Sequence, residues 1–205
     1  CIFGDEEMKC QPALRADLLE AFDTHLRAGF AEYSRKKLFV HAGVVGWKGQ
    51  AILFPGASRA GKITMIAELV KAGATYFSDE FAVLDERGRV HPFAKPLSLR
   101  DTRTSRQHDT LAESLGGITA RRALPVGLVV VTKYRDGANW APTLLSPAAG
   151  ALEIMANTIA ARRWPALALS VIGAVADRAR IVRSDRGEAP ALVGHILGGD
   201  GSDAL

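Results

Sequence analysis

The run QAILFPGASRAGKITMIAELVKAG, residues 50–73, decides how the rest of the chain is read. Gln50 to Pro55 is a short apolar run suited to a buried strand, and it feeds at once into a glycine loop. Ile63 to Ala72 then has helical composition, with Gly73 placed as its C-terminal cap. Strand, glycine loop and helix in direct succession let backbone N–H groups and a helix N-terminus converge on phosphate oxygens. Gly56, Gly61 and Lys62 satisfy G-x-x-x-x-G-K, so Gly56, Ala57, Ser58, Arg59, Ala60, Gly61, Lys62, Ile63 and Thr64 are the candidate nucleotide-binding residues. Ile63 departs from the pattern, because ordinary loops of this kind place there a Ser or Thr whose hydroxyl coordinates Mg2+. Thr64 is rotated from that position by about 100° around the helix axis and cannot take over its direction. Either carboxylates and water carry Mg2+, or the protein binds nucleotide and turns it over poorly.

Upstream, Leu38 to Trp47 is a second apolar run, joined to the first by the turn Lys48-Gly49. Leu14, Leu18, Phe22, Leu26 and Phe30 recur at i, i+4 and predict an amphipathic helix with that face in the core. Downstream, Thr75 to Leu84 reads as a strand interrupted by Asp79-Glu80, with a turn at Glu86 to Gly88. Asp101 to Pro125 is polar, carries Arg103, Arg106, Arg121 and Arg122, and contains Gly116-Gly117, so part of it is expected to be a mobile loop with a short helix inside, suited to act as a lid or substrate loop. Gly127 to Thr132 reads as a strand buried on both faces. It ends in Thr132 and Lys133, where most nucleotide-binding proteins of this type place an Asp on Mg2+. Ala148 to Arg163 and Pro165 to Ala179 read as helices, Arg180 to Arg183 as a last strand and Ala189 to Leu197 as a last helix. One domain over residues 1–197 and a flexible tail over 198–205 are expected.

Lys and Arg number 26 against 22 Asp and Glu, an excess that suits a polyanionic ligand such as a nucleotide. The basic residues are scattered and aromatics do not interleave with them, which argues against a nucleic-acid partner. The longest apolar stretch, Pro165 to Ala176, falls short of the roughly 20 residues a membrane helix needs, and a cytoplasmic location with no membrane partner is expected. Cys1 and Cys10 lie together, far from any second Cys/His pair that would complete a zinc site. His25, His91, His108 and His195 show no metal-ligand spacing either.

The order of a His-Ala strand, a glycine loop, a helix and then SDE carries a resemblance. HAGVVGWKGQAILFPGASRAGKITMIAELVKAGATYFSDEFAVLD, residues 41–85, followed by PFAKPLSLR, residues 92–100, resembles the C-terminal domain of the HPr kinase/phosphorylase family and its relatives, some of which tailor peptides. The likeness is clear over His41 to Arg100 and weaker through Arg183. It implies an α/β fold like that of phosphoenolpyruvate carboxykinases, with a mixed central sheet flanked by helices. It further implies a kinase that uses ATP and Mg2+ to phosphorylate a Ser hydroxyl of a peptide or small protein, and a homo-oligomer. By the same resemblance Asp79 is the general base, Glu80 with Asp79 a metal ligand, and Lys62 the group that neutralises the transferred phosphoryl. His41 then lies near the phosphates or orients Asp79, and Arg100 binds phosphate on the substrate side. The family usually has Asp at the position of Glu80. A regulatory nucleotide-binding module with a weakened metal site, favoured by Ile63, and a small-molecule kinase are the alternatives.

Overall fold

Lys48 and Gly49, both at positive φ (46° and 79°), close a two-residue turn between β1 (Leu38–Trp47) and β2 (Gln50–Pro55). Turns of this geometry match the right-handed twist of the strands they join, and the register runs from Trp47↔Gln50 to Ala42↔Pro55. The structure, a computed structural model, describes residues 12–56, 61–100 and 107–198.

The far edge of β2 pairs in parallel with β9 (Leu124–Tyr134), and β9 pairs in parallel with β11 (Arg180–Arg186), with Leu53 level with Val129 and Val129 level with Ile181. These three strands therefore end at the edge where the glycine loop leaves Pro55. A short β10 (Thr143–Leu144) closes the far side of β11. On its other side, β1 pairs with both β3 (Thr75–Ser78) and β4 (Phe81–Leu84), the two halves of the strand interrupted by Asp79-Glu80. β5 (Arg89–His91) joins β4 to β9, so the pairings β1, β2, β9, β5 and β4 return to β1. With β8 (Ile118–Thr119) parallel to β3, the result is a mixed nine-stranded sheet.

Alternation along the strands sends neighbouring residues to opposite faces. Ile52, Phe54 and Val130 join Met65, Ile66, Leu69 and Val70 of α2 (Lys62–Lys71) and Leu192 and Ile196 of α5 (Ala189–Gly198). Leu53 and Val129 join instead Ile154 of α3 (Pro147–Ala156) and Val171, Ile172 and Val175 of α4 (Pro165–Ala176). The expected α/β class, a mixed sheet flanked by helices, is the observed one.

Four expectations need correction. The first concerns α1 (Pro12–Tyr33), which forms, but its apolar stripe is not core: Leu18, Phe22, Leu26 and Phe30 are between 46% and 66% exposed. Its described ties to the body lie toward its C-terminal end, where Ala31 is buried against Phe39 and Phe81, and Glu32 meets Arg163 and the Trp164 indole. An open apolar groove runs between Leu26 and Phe30 of α1 and Phe39 and Phe93. Periodicity states which residues share a face, not what that face meets. Second, the expected short helix is present in the stretch 107–125, a 3-10 turn over Ala112–Leu115, but strands stand beside it: β6 (Leu97–Arg100) pairs with β7 (Gln107–Thr110), and β9 begins at Leu124. Residues 101–106 lie outside the described residues. Third, α3 stops at Ala156, where Asn157 caps it and its carbonyl accepts a hydrogen bond from the His41 N–H at 2.8 Å. Last, β11 runs three residues beyond Arg183. The segments 1–11 and 199–205, with Cys1, Cys10 and nearly all of the expected tail, lie outside the described residues. No described helix is long and apolar enough to cross a membrane.

Candidate functional site

The middle of β1 is the hub of the site. On one side Ala42 is paired with Pro55, and the Gly56 N–H donates to the His41 carbonyl at 3.0 Å, so the glycine loop starts beside His41. On the other side the register runs from His41↔Phe81 to Val44↔Ser78, which sets Glu80 and Asp79 opposite Ala42 and Gly43. The Ala42 N–H donates to the Glu80 carbonyl at 3.1 Å. Ser78 bends the chain here, its buried Oγ accepting from the N–H groups of Glu80 (3.1 Å) and Phe81 (3.0 Å). Gly56 and Glu80 thus stand on the two sides of a single strand, each bonded to its backbone.

After residues 57–60, which lie outside the described residues, Gly61 caps α2 with a left-handed backbone (φ 71°, ψ 15°), a conformation that costs any residue with a Cβ. Lys62 opens the helix, and its ammonium donates to the Gly56 carbonyl, bridging the two ends of the loop. Burial lowers the Lys62 pKa, while the charges of Asp79 and Glu80 raise it. His41 is held toward its neutral form by burial first and by the Lys62 charge second, with Glu80 opposing; its ring lies 5.0 Å from that of Phe81. Ile63 is half-buried and Thr64 exposed.

Asp79 is buried, and burial raises its carboxyl pKa against the opposing pull of Lys95 and of a hydrogen bond from Tyr76. The Tyr76 hydroxyl lies 3.0 Å from Asp79 Oδ1 and 2.9 Å from the Lys95 carbonyl, sharing one proton between two acceptors. Burial and Asp79 together push the Tyr76 phenol up, so it stays a donor. A carboxylate with a raised pKa, held at one oxygen, is suited to take a proton from a hydroxyl.

Lys95 has a second contact, at 3.3 Å from Glu80 Oε2, a buried oxygen with no hydrogen-bond partner among the described residues. A cation of the chain itself therefore stands at the carboxylate that the resemblance assigns to metal. With Ile63 bringing no oxygen, Asp79 and Glu80 remain, and no group of three or more His, Cys, Asp or Glu is placed to hold a metal ion among the described residues. Two carboxylates suit Mg2+ that arrives on nucleotide phosphates, not Mg2+ caged by the protein alone.

Arg100 ends β6, its backbone paired with Gln107, and its side chain lies outside the described residues. His41, Lys62, Asp79 and Glu80 are thus brought together, whereas Arg100 is not placed among them by any described contact. Reading the sequence missed Tyr76, Lys95 and Arg186. Arg186 is buried, and its guanidinium donates to the Gly61 carbonyl at 3.2 Å. Lys62, Arg186 and the buried Thr132 hydroxyl line one small cavity with Phe54, Pro55 and Met65. No local signal marks Arg186, because β11 reads RIVRSDR and carries three arginines.

No family model and no curated protein matches the chain. Among solved structures, the HPr(Ser) kinase/phosphatase from Coxiella burnetii is similar with a TM-score of 0.43 and 13% identity, over 78% of this chain and 93% of that one. A likeness of that degree carries no weight for activity, cofactor or substrate.

Proposed function

We propose that this chain binds ATP and transfers its terminal phosphoryl group to a serine hydroxyl of a peptide or small protein. The observation that carries this reading is the convergence of the glycine loop with Lys62 and of Asp79 on the two sides of His41. In the step, the acceptor oxygen bonds to the terminal phosphorus as the bond from phosphorus to the bridging oxygen breaks. ADP leaves with that electron pair, and the hydroxyl proton passes to the Asp79 carboxylate. Lys62 offsets charge on the phosphates, and His41, held toward neutrality, adds no competing charge. Positioning and electrostatics of this kind supply most of what phosphoryl transfer asks of a protein.

A second reading has its own support. Ile63 and the Lys95–Glu80 ion pair both weaken the metal side of the site, which favours a regulatory module that binds nucleotide with little turnover.

Calorimetric titration with a non-hydrolysable ATP analogue, with and without Mg2+, separates the two. Binding strengthened by Mg2+, together with label transfer from ATP to serine peptides, is the expected result for a kinase. Binding indifferent to Mg2+ with no transfer would establish the regulatory reading, and no binding at all would sink both. Lys62→Ala is expected to weaken the analogue by at least about 10-fold, while Asp79→Asn keeps binding and loses transfer.

A further inference from the structure

Arg186 has a place in the nucleotide site that its distance in sequence conceals. Pro55 is level with Val131 of β9 by continuation of the Leu53↔Val129 register, and Val131 is paired with Arg183. Arg186 therefore overhangs the start of the glycine loop by three residues, or about 10 Å of strand. Although charged, it is only 4% exposed. Its side chain turns back so that Nη1 donates to the Gly187 carbonyl at 3.0 Å and Nη2 to the Gly61 carbonyl at 3.2 Å, with the guanidinium 5.5 Å from the centre of the Tyr134 ring. Contact with Gly61 is close enough that a Cβ there would stand 2.5 Å from Nη2.

The Gly61 carbonyl also accepts the first bond of the helix ladder, from Met65 N–H at 3.3 Å. In a trans peptide the C=O of one residue and the N–H of the next point in opposite directions. Fixing the Gly61 carbonyl therefore fixes the direction of the Lys62 N–H at the first turn of α2. We propose that Arg186 is the positioning residue of the phosphate cradle: by holding the Gly61 carbonyl, it aims the Lys62 amide at the phosphates of a bound nucleotide. The fork of a guanidinium suits this task because it reaches two carbonyls from one rigid group. The assignment rests on the nucleotide reading given above.

The test measures ADP affinity of the wild type, Arg186→Ala and Arg186→Lys by calorimetry well below their melting temperatures, beside the shift in melting temperature that ADP produces. Arg186→Ala is expected to weaken ADP by about 10-fold or more and to shrink that shift. Arg186→Lys keeps the charge without the fork and should recover only part of the loss. A merely structural residue would lower the melting temperature of the free protein and leave the affinity alone, which overturns the proposal. Should Arg186→Ala not fold, the wild-type amide resonance of Lys62 decides, since it must move on adding ADP and a stationary signal refutes the assignment. If the wild type binds no nucleotide, the nucleotide reading falls and this inference with it. If it binds and Arg186→Ala binds within twofold, this inference falls alone.

Discussion

Burial raises the pKa of Asp79 in the folded protein, with opposite consequences for chemistry and for stability. As a base it becomes stronger, and the acid limb of a transfer-rate profile is expected to lie above the usual carboxylate range. For folding, the native state binds the proton more tightly than the unfolded chain, so stability falls as pH rises from the unfolded pKa through the folded one. Asp79→Asn cannot ionise, and its amide oxygen can still accept from Tyr76. It is therefore expected to melt higher than the wild type at pH 7, with the advantage fading as pH drops toward the unfolded value; thermal melts across pH measure this. Gly61→Ala is expected to cost roughly 1–2 kcal/mol in denaturant unfolding from its left-handed backbone. At this scale the sequence was legible where chemistry is local. Lys62 sits inside its motif, and Asp79 follows one helix later. Tyr76, Lys95 and Arg186 were not legible, because each joins the site through a strand register or a loop return that no local spacing encodes.

The elements follow their local rules closely except at their ends. Ser146 caps α3 by accepting from the Ala149 N–H at 3.2 Å, and Pro147 occupies the first turn. Ser146→Ala is expected to lower unfolding free energy by about 1 kcal/mol and to leave nucleotide affinity unchanged, since α3 packs on the face opposite α2. Composition extends this helix to Arg163, but a tertiary contact ends it: Asn157 hands its carbonyl to β1, and Thr158 bridges Val40. β11 errs the other way. Apolar content fades after Val182, yet the backbone stays paired with β9 through Arg186↔Tyr134 because a parallel neighbour keeps supplying partners. The strands from Leu38 to Pro55 were the easiest to read, since their turn and their apolar runs point to the same hairpin.

The molecule as a whole is a sheet sealed by helices on both faces, with α1 as the one described helix whose apolar stripe faces water. Phe22, 66% exposed, contributes little to the fold, and Phe22→Ser is expected to shift unfolding free energy by no more than about 0.5 kcal/mol in urea. The same stripe alters what a common laboratory reagent would report. Dyes such as ANS brighten on apolar surface and are read as a sign of lost packing, but here the native protein should light up before any heating, and Phe22→Ser should dim it. A melt followed by dye would then start high and understate the transition. Intrinsic fluorescence avoids the artefact, because Trp47 donates to the Leu197 carbonyl and Trp164 to the Glu32 carbonyl, so two of the indoles are tied to the tertiary structure itself.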